Sequence, residues 1–123
     1  QLVKNPSGFR QALMGGQQIS VDKIVVAIND NYADGRDVSW LWDVEFTNKL
    51  NSSRVLTAGS RAYDMALRLA YDEIRVDAVQ PNLSKLVDGL KPNEKGTTLV
   101  YTTYTAMLRL RAILATKTKV ERV

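Results

Sequence analysis

The sequence predicts an α/β domain: a mainly parallel sheet of about four to six strands flanked by helices, in one domain. Two runs carry most of this. "DKIVVAIN" (22–29) is apolar and β-branched without polar alternation, the pattern of a strand buried on both faces. "SRVLTAG" (53–59) repeats the pattern. The third observation is order: segments of helical spacing separate the strand-like runs. A chain of 123 residues with 45% hydrophobic content is long enough for one domain with a true core.

The elements follow in sequence. "QLVK" reads as a short first strand and "NPSG" as a turn. "FRQALMGG" reads as a short helix closed by Gly15 and Gly16. After the 22–29 strand comes an acidic loop, and "VSWLWDVEF" reads equally as a helical turn or a short strand. "SRAYDMALRLAYD" is the clearest helix, with Ser60 as its cap. Arg61, Asp64, Arg68 and Asp72 fall on one stripe, with Asp64 and Arg68 spaced for an i,i+4 pair, which reads as a solvated face. "IRVDAV" is a third short strand, and "NLSKLVDGL" a helix capped by Asn82 with Gly89 near its end. "KPNEKG" is a loop, "TTLVYTTY" a strand, and "TAMLRLRAILATKTK" a closing helix that runs into a basic tail at 116–123. Neither an internal repeat nor a second-domain boundary is visible, so 1–123 reads as one domain. The absence of an initiator Met leads us to expect a piece processed or excised from something longer.

Composition narrows the chemistry. With no Cys and no His, the chain lacks disulfides, thiolate zinc sites, a cysteine nucleophile and a self-contained Ser–His–Asp arrangement. Catalysis here runs on carboxylates, Lys, Arg, Tyr or borrowed groups. Net charge is +4, concentrated toward Arg109, Arg111, Lys117, Lys119 and Arg122. This reads as a solvated helix face and tail, not a nucleic-acid patch, because basic residues interleaved with exposed aromatics are not seen. No apolar run approaches the roughly 18 residues that span a bilayer, so no membrane insertion is expected.

The informative stretch is "AINDNYADGRDVSWLWD" (27–43), with Asp30, Asp34, Asp37, Asp43 and both tryptophans of the chain. It follows a strand, and ligands of open α/β sheets meet the carboxyl ends of strands. An EF-hand starting at Asp30 fails, because its third and twelfth positions would be Tyr32 and Leu41. No metal site is expected. A glycosidase-type pair is disfavoured, since neighbours on one loop seldom face each other across a substrate. "ADGR" has a strong turn signature, and Asp37 is placed to cap. The strand–Gly59–Ser60–helix turn offers a weak anion site.

"LVKNPSGF", "NDNYADGRDVSWLWDVEF", "GSRAYDMALRL" and "TYTAMLRLR" together resemble the C-terminal domain of the MurT family, the Mur-ligase-like subunits of lipid II isoglutaminyl synthase. The resemblance runs from about residue 1 to 115. It implies a Rossmann-like fold and an ATP-dependent ligase complex, acting in the bacterial cytoplasm at the inner face of the membrane, that amidates the D-glutamate of the lipid II stem peptide to D-isoglutamine. The ammonia comes from a glutaminase partner, GatD. ATP and Mg²⁺ belong mainly to a central domain whose phosphate-binding loop and four-Cys ribbon have no counterpart here. The absence of Cys and His then fits, because those groups belong to the glutaminase. The resemblance also implies an Asp given in trans to that Cys–His pair. Asp34 is the first candidate, beside the compact Gly35, and Asp30 and Asp37 are the fallbacks. Lys4 and Asn5 are implied at the nucleotide cleft. Arg61 reads as part of the solvated stripe rather than as a substrate contact. Trp40 and Trp42 either anchor the partner or pack on the sheet. The alternative function is a non-catalytic interaction module that positions a partner.

Overall fold

In a computed structural model of the chain, residues 1–50, 54–90 and 96–122 are described, 117–122 by backbone alone. The elements are α1 (Pro6–Gly16), β1 (Lys23–Ala27), α2 (Ala62–Tyr71) after β2 (Arg54–Ala58), α3 (Leu83–Leu90) after β3 (Ala78–Gln80), and α4 (Tyr104–Arg122) after β4 (Thr98–Thr102). All strand pairs are parallel and the order is β3-β2-β1-β4. The apolar runs at 22–29 and 53–59 become the two central strands, as continuous hydrophobicity dictates for strands covered on both faces.

Side-chain alternation along β1 builds the layers. Ile24, Val26 and Ile28 point to a cluster with Phe9, Leu13, Leu41, Phe46, Met65 and Tyr101, covered by α1 and α2. Val25 and Ala27 point the other way, to Leu83, Leu86, Val87 and Leu110 of α3 and α4. Phe9 is fully buried, stacked on Tyr101 at 5.5 Å and edge-on to Phe46 at 5.1 Å. Burial raises the pKa of the Tyr101 hydroxyl.

Several local expectations are corrected. The first strand shrinks to one bridge, Leu2 to Thr102, because the chain turns at once into α1. "NPSG" is that helix's first turn: Asn5 Oδ1 accepts from Gly8 N at 2.8 Å, with Pro6 at a position where its missing N–H costs nothing. "IRVDAV" yields only Ala78 and Val79 of the three-residue β3. Ser60 does not cap α2; Arg61 occupies the N-cap, and the Ser60 hydroxyl turns to Asp30. The expected Asp64–Arg68 pair does not form either. Arg61 pairs with Asp64 at 2.7 Å, and Arg68 pairs with Asp72 at 2.9 Å. Arg68 is buried, so the stripe is solvated at one end only. Asn82 does cap α3, accepting from Lys85 N at 3.0 Å. Residues 91–95 of the expected loop and the side chains of 117–123 in the basic tail lie outside the described residues.

The stretch between β1 and β2 is unusual. Among its described residues it holds no α-helix, only 3₁₀ turns at Tyr32–Asp34 and Ser39–Asp43. The unsettled "VSWLWDVEF" is thus a 3₁₀ turn and no strand. Val38, Leu41 and Val44, spaced by three, bury together as that tighter helix requires. Arg10 of α1 fastens the turn's end, Nη1 to Asp43 O at 3.0 Å.

Candidate functional site

The strand order places β2 and β3 on one side of β1 and β4 on the other. The crevice where such a sheet reverses direction, at the carboxyl ends of β1 and β4, is where open α/β sheets build sites. Asn29, two residues past β1, joins three strand ends there. Its N–H donates to Thr103 Oγ1 at 2.9 Å, its Nδ2 to Thr105 Oγ1 at 3.0 Å, and its Oδ1 accepts from Ser60 N at 2.9 Å. Gly59 makes this possible: it has φ +88°, and a Cβ there would lie 2.4 Å from Ile28 O. The Ser60 and Arg61 N–H groups are committed to Asn29 and Ile28, so the turn's expected offer of free N–H groups to an anion is not realised.

The three candidate aspartates part company. Asp34 crosses the crevice to α4. Its Oδ1 accepts from Thr105 N at 2.7 Å, and its Oδ2 accepts from Asn31 N at 3.1 Å and from the Thr105 hydroxyl. Thr105 sits in the first turn of α4, where an anion is favoured by free N–H groups and the helix dipole. An ionised carboxylate offers about four acceptor positions. Three donors thus leave one open, on Oδ1 of a half-buried residue.

Asp30 faces the β2–α2 turn. Ser60 Oγ donates to its Oδ1 at 2.9 Å and Arg61 Nη1 to its Oδ2 at 3.1 Å. These two contacts, Ser60 first, hold its carboxyl below the usual range. Asp37 is exposed and folds onto its own loop, accepting from Ser39 N at 2.9 Å in an Asx-turn that likewise lowers its pKa. Arg36 stacks over the Tyr32 ring at 4.9 Å. An open cleft of about 230 Å³ adjoins, lined in part by Arg36, Asp37, Trp42, Arg61 and Asp64.

Lys4 is exposed and Asn5 is the α1 cap, both just past the bridge beside the end of β4. The tryptophans split: Trp40 packs on Phe9 at 6.2 Å, whereas Trp42 remains 45% exposed, edge-on to Tyr71 at 4.9 Å. Among the described residues no group of three or more acidic side chains is placed to hold a metal. No described helix is long and apolar enough to cross a membrane.

Asn29, Thr103 and Thr105 escaped the sequence reading. Polar residues directly after two buried strands were the available signal, but their pairing spans more than seventy positions.

Comparison with known proteins agrees with this architecture. The family described as MurT ligase C-terminal matches residues 2–107. The chain is 33% identical over 109 residues to "Lipid II isoglutaminyl synthase (glutamine-hydrolyzing) subunit MurT" of Staphylococcus aureus, covering 86% of this chain and 25% of that protein. It is 30% identical over 124 aligned residues to the protein of the same name from Streptococcus pneumoniae, covering 94% of this chain and 27% of that one. The chain therefore spans about a quarter of the length of these relatives. Among solved structures, MurF from Acinetobacter baumannii shares the fold, with a TM-score of 0.54 at 16% identity, over 89% of this chain and 26% of that one. A four-stranded parallel sheet with a clasped carboxylate at its reversal point and a family match over most of its length make this chain a member of the MurT ligase C-terminal family.

Proposed function

We propose that residues 1–123 are the C-terminal domain of an ATP-dependent, glutamine-hydrolysing amide ligase, and that the domain docks a glutaminase and lends it a carboxylate. The observation that carries this is the state of Asp34. It is rigidly held by three donors, half-exposed, and left with one acceptor position at the sheet's reversal point. A carboxylate orienting a histidine must be fixed in place yet able to accept one more N–H. It then sets the imidazole tautomer and stabilises the imidazolium. Asp30 is less suited, because its Oδ2 is already paired with the Arg61 guanidinium, a cation that competes with an imidazolium. Asp37 is accessible but stands on an exposed turn without comparable bracing.

In this reading the partner is a GatD-type glutaminase that supplies the Cys, the His and the ammonia. The whole complex amidates the D-glutamate of lipid II at the cytoplasmic face of the membrane. ATP and Mg²⁺ are held mainly by the rest of the longer protein, with Lys4 and Asn5 facing the nucleotide. The alternative is a non-catalytic docking module, favoured by the fact that the Asp34 contacts also brace the loop.

The test is glutamine hydrolysis by the partner in complex with the full-length protein carrying this domain. Asp34→Asn is expected to lower the rate by about 10³- to 10⁴-fold, the scale of an orienting carboxylate lost from a triad, with complex formation intact. Loss on Asp30→Asn or Asp37→Asn instead moves the site. Full activity in all three variants leaves the docking module.

A further inference from the structure

We propose that Thr105 is the positioning residue that aims the Asp34 carboxylate. The inference rests on the trans-carboxylate reading above.

Thr105 donates twice to the same group: its N–H goes to Oδ1 at 2.7 Å and its hydroxyl to Oδ2. Contact at both oxygens fixes the carboxylate plane as well as its position. The hydroxyl is itself directed. A hydroxyl has one proton and about two acceptor positions. Asn29 Nδ2 at 3.0 Å and Asn31 Nδ2 at 3.1 Å fill both of those positions. The proton therefore points to Asp34 Oδ2, in the stronger hydrogen bond that a charged acceptor makes. Asn31 closes the ring through its own N–H to the same oxygen at 3.1 Å. The chain of contacts starts in Asn29, anchored on Thr103 and Ser60. The open position on Asp34 Oδ1 is thereby referred to the ends of β1, β2 and β4 rather than to a free loop. Thr105 touches no reacting atom. Its effect passes through Asp34.

The experiment uses the full-length protein carrying this domain, purified in complex with its Cys–His glutaminase. Steady-state glutamine hydrolysis and the Kd of the complex are measured for Thr105→Val, Thr105→Ser, Asn31→Ala, Asp34→Asn and the Asp34→Asn/Thr105→Val double variant. Thr105→Val removes the hydroxyl donor at nearly constant shape. It is expected to lower kcat by about 10- to 100-fold, the range for losing an orienting partner behind an active group. KM for glutamine and the Kd of the complex are expected to stay within about two-fold. Thr105→Ser keeps both donors and is expected to restore most of the rate. Asn31→Ala, at an exposed position, lowers kcat in the same sense without weakening the complex. In the Asp34→Asn background, Thr105→Val costs nothing further.

Three results overturn the inference alone while Asp34→Asn remains inactive: an undiminished kcat in Thr105→Val, a loss matched by a weaker complex, or a Thr105→Ser loss as deep as that of Val. Normal hydrolysis by Asp34→Asn in an intact complex sinks the underlying reading and this inference with it.

Discussion

Arg68 shows how one side chain can hold a segment that has no regular structure of its own. Its Nε donates to Leu41 O at 3.0 Å and its Nη2 to Val44 O, while Nη1 meets Asp72 Oδ1 at 2.9 Å. Asp72 in turn accepts from Phe46 N at 2.7 Å. The guanidinium lies between the Trp42 ring at 5.1 Å and the Phe46 ring at 5.3 Å. Burial pushes the Asp72 carboxyl up, but the Arg68 and Phe46 contacts outweigh it and hold its pKa low. Removing one partner of such a pair leaves a buried charge and two buried carbonyls unanswered. Arg68→Met is expected to destabilise the domain by about 3–5 kcal/mol in urea unfolding, with Trp42 fluorescence changing before far-UV circular dichroism. The sequence placed Arg68 on the right stripe and misjudged its surroundings. Helical spacing says which residues share a face, and what covers that face was decided by the 38–46 segment packing over it.

Among the elements, the four helices were legible because their caps and turns are local chemistry. Asn82 and the Gly15–Gly16 pair lie at or next to the helix ends they mark, whereas the starts of α1 and α2 were misread as a "NPSG" turn and a Ser60 cap. The central strands were legible from their continuous apolar character. The 38–46 segment was not, because a three-residue repeat of Val38, Leu41 and Val44 suits neither period two nor period 3.6. The first strand was over-read, since "QLVK" has too few residues before Pro6 to form more than a bridge. The acidic loop stood out by composition and its candidate role came only from the family resemblance; the Asp34 partner Thr105 lies 71 residues away and leaves no local trace. The β2–α2 turn yields a prediction at this scale. Gly59→Ala places a Cβ 2.4 Å from Ile28 O at φ +88°. It is expected to cost at least about 2 kcal/mol, combining backbone strain with a clash against a carbonyl that cannot retreat. A thermal melt measures the loss.

Across the whole molecule, aspartates at the carboxyl edge contribute to acid sensitivity alongside the part-buried Asp72. Asp30 and Asp64 share Arg61, and each has its pKa lowered in the fold. A group with a lowered folded pKa contributes stability above its unfolded value, about 3.9 for Asp, and that contribution disappears as pH falls through the folded value. With no His in the chain, stability from these groups is expected to hold level from about pH 8 to 5 and to decline below about pH 4. Asp30→Asn is expected to flatten that acid limb in urea titrations. Asp64→Asn flattens it less, because its side chain is 48% exposed and solvent screens the pair. The strand order has a further result for how the protein is made. Domains can begin folding from the amino end during synthesis, and β1, β2 and β3 lie together before β4 exists. Asp34 is synthesised before the Thr105 that grips it, which comes 71 residues later. Until β4 and α4 are made, the β1 edge is bare and the acidic loop unclasped, so the candidate site is completed only once Thr105 is in place.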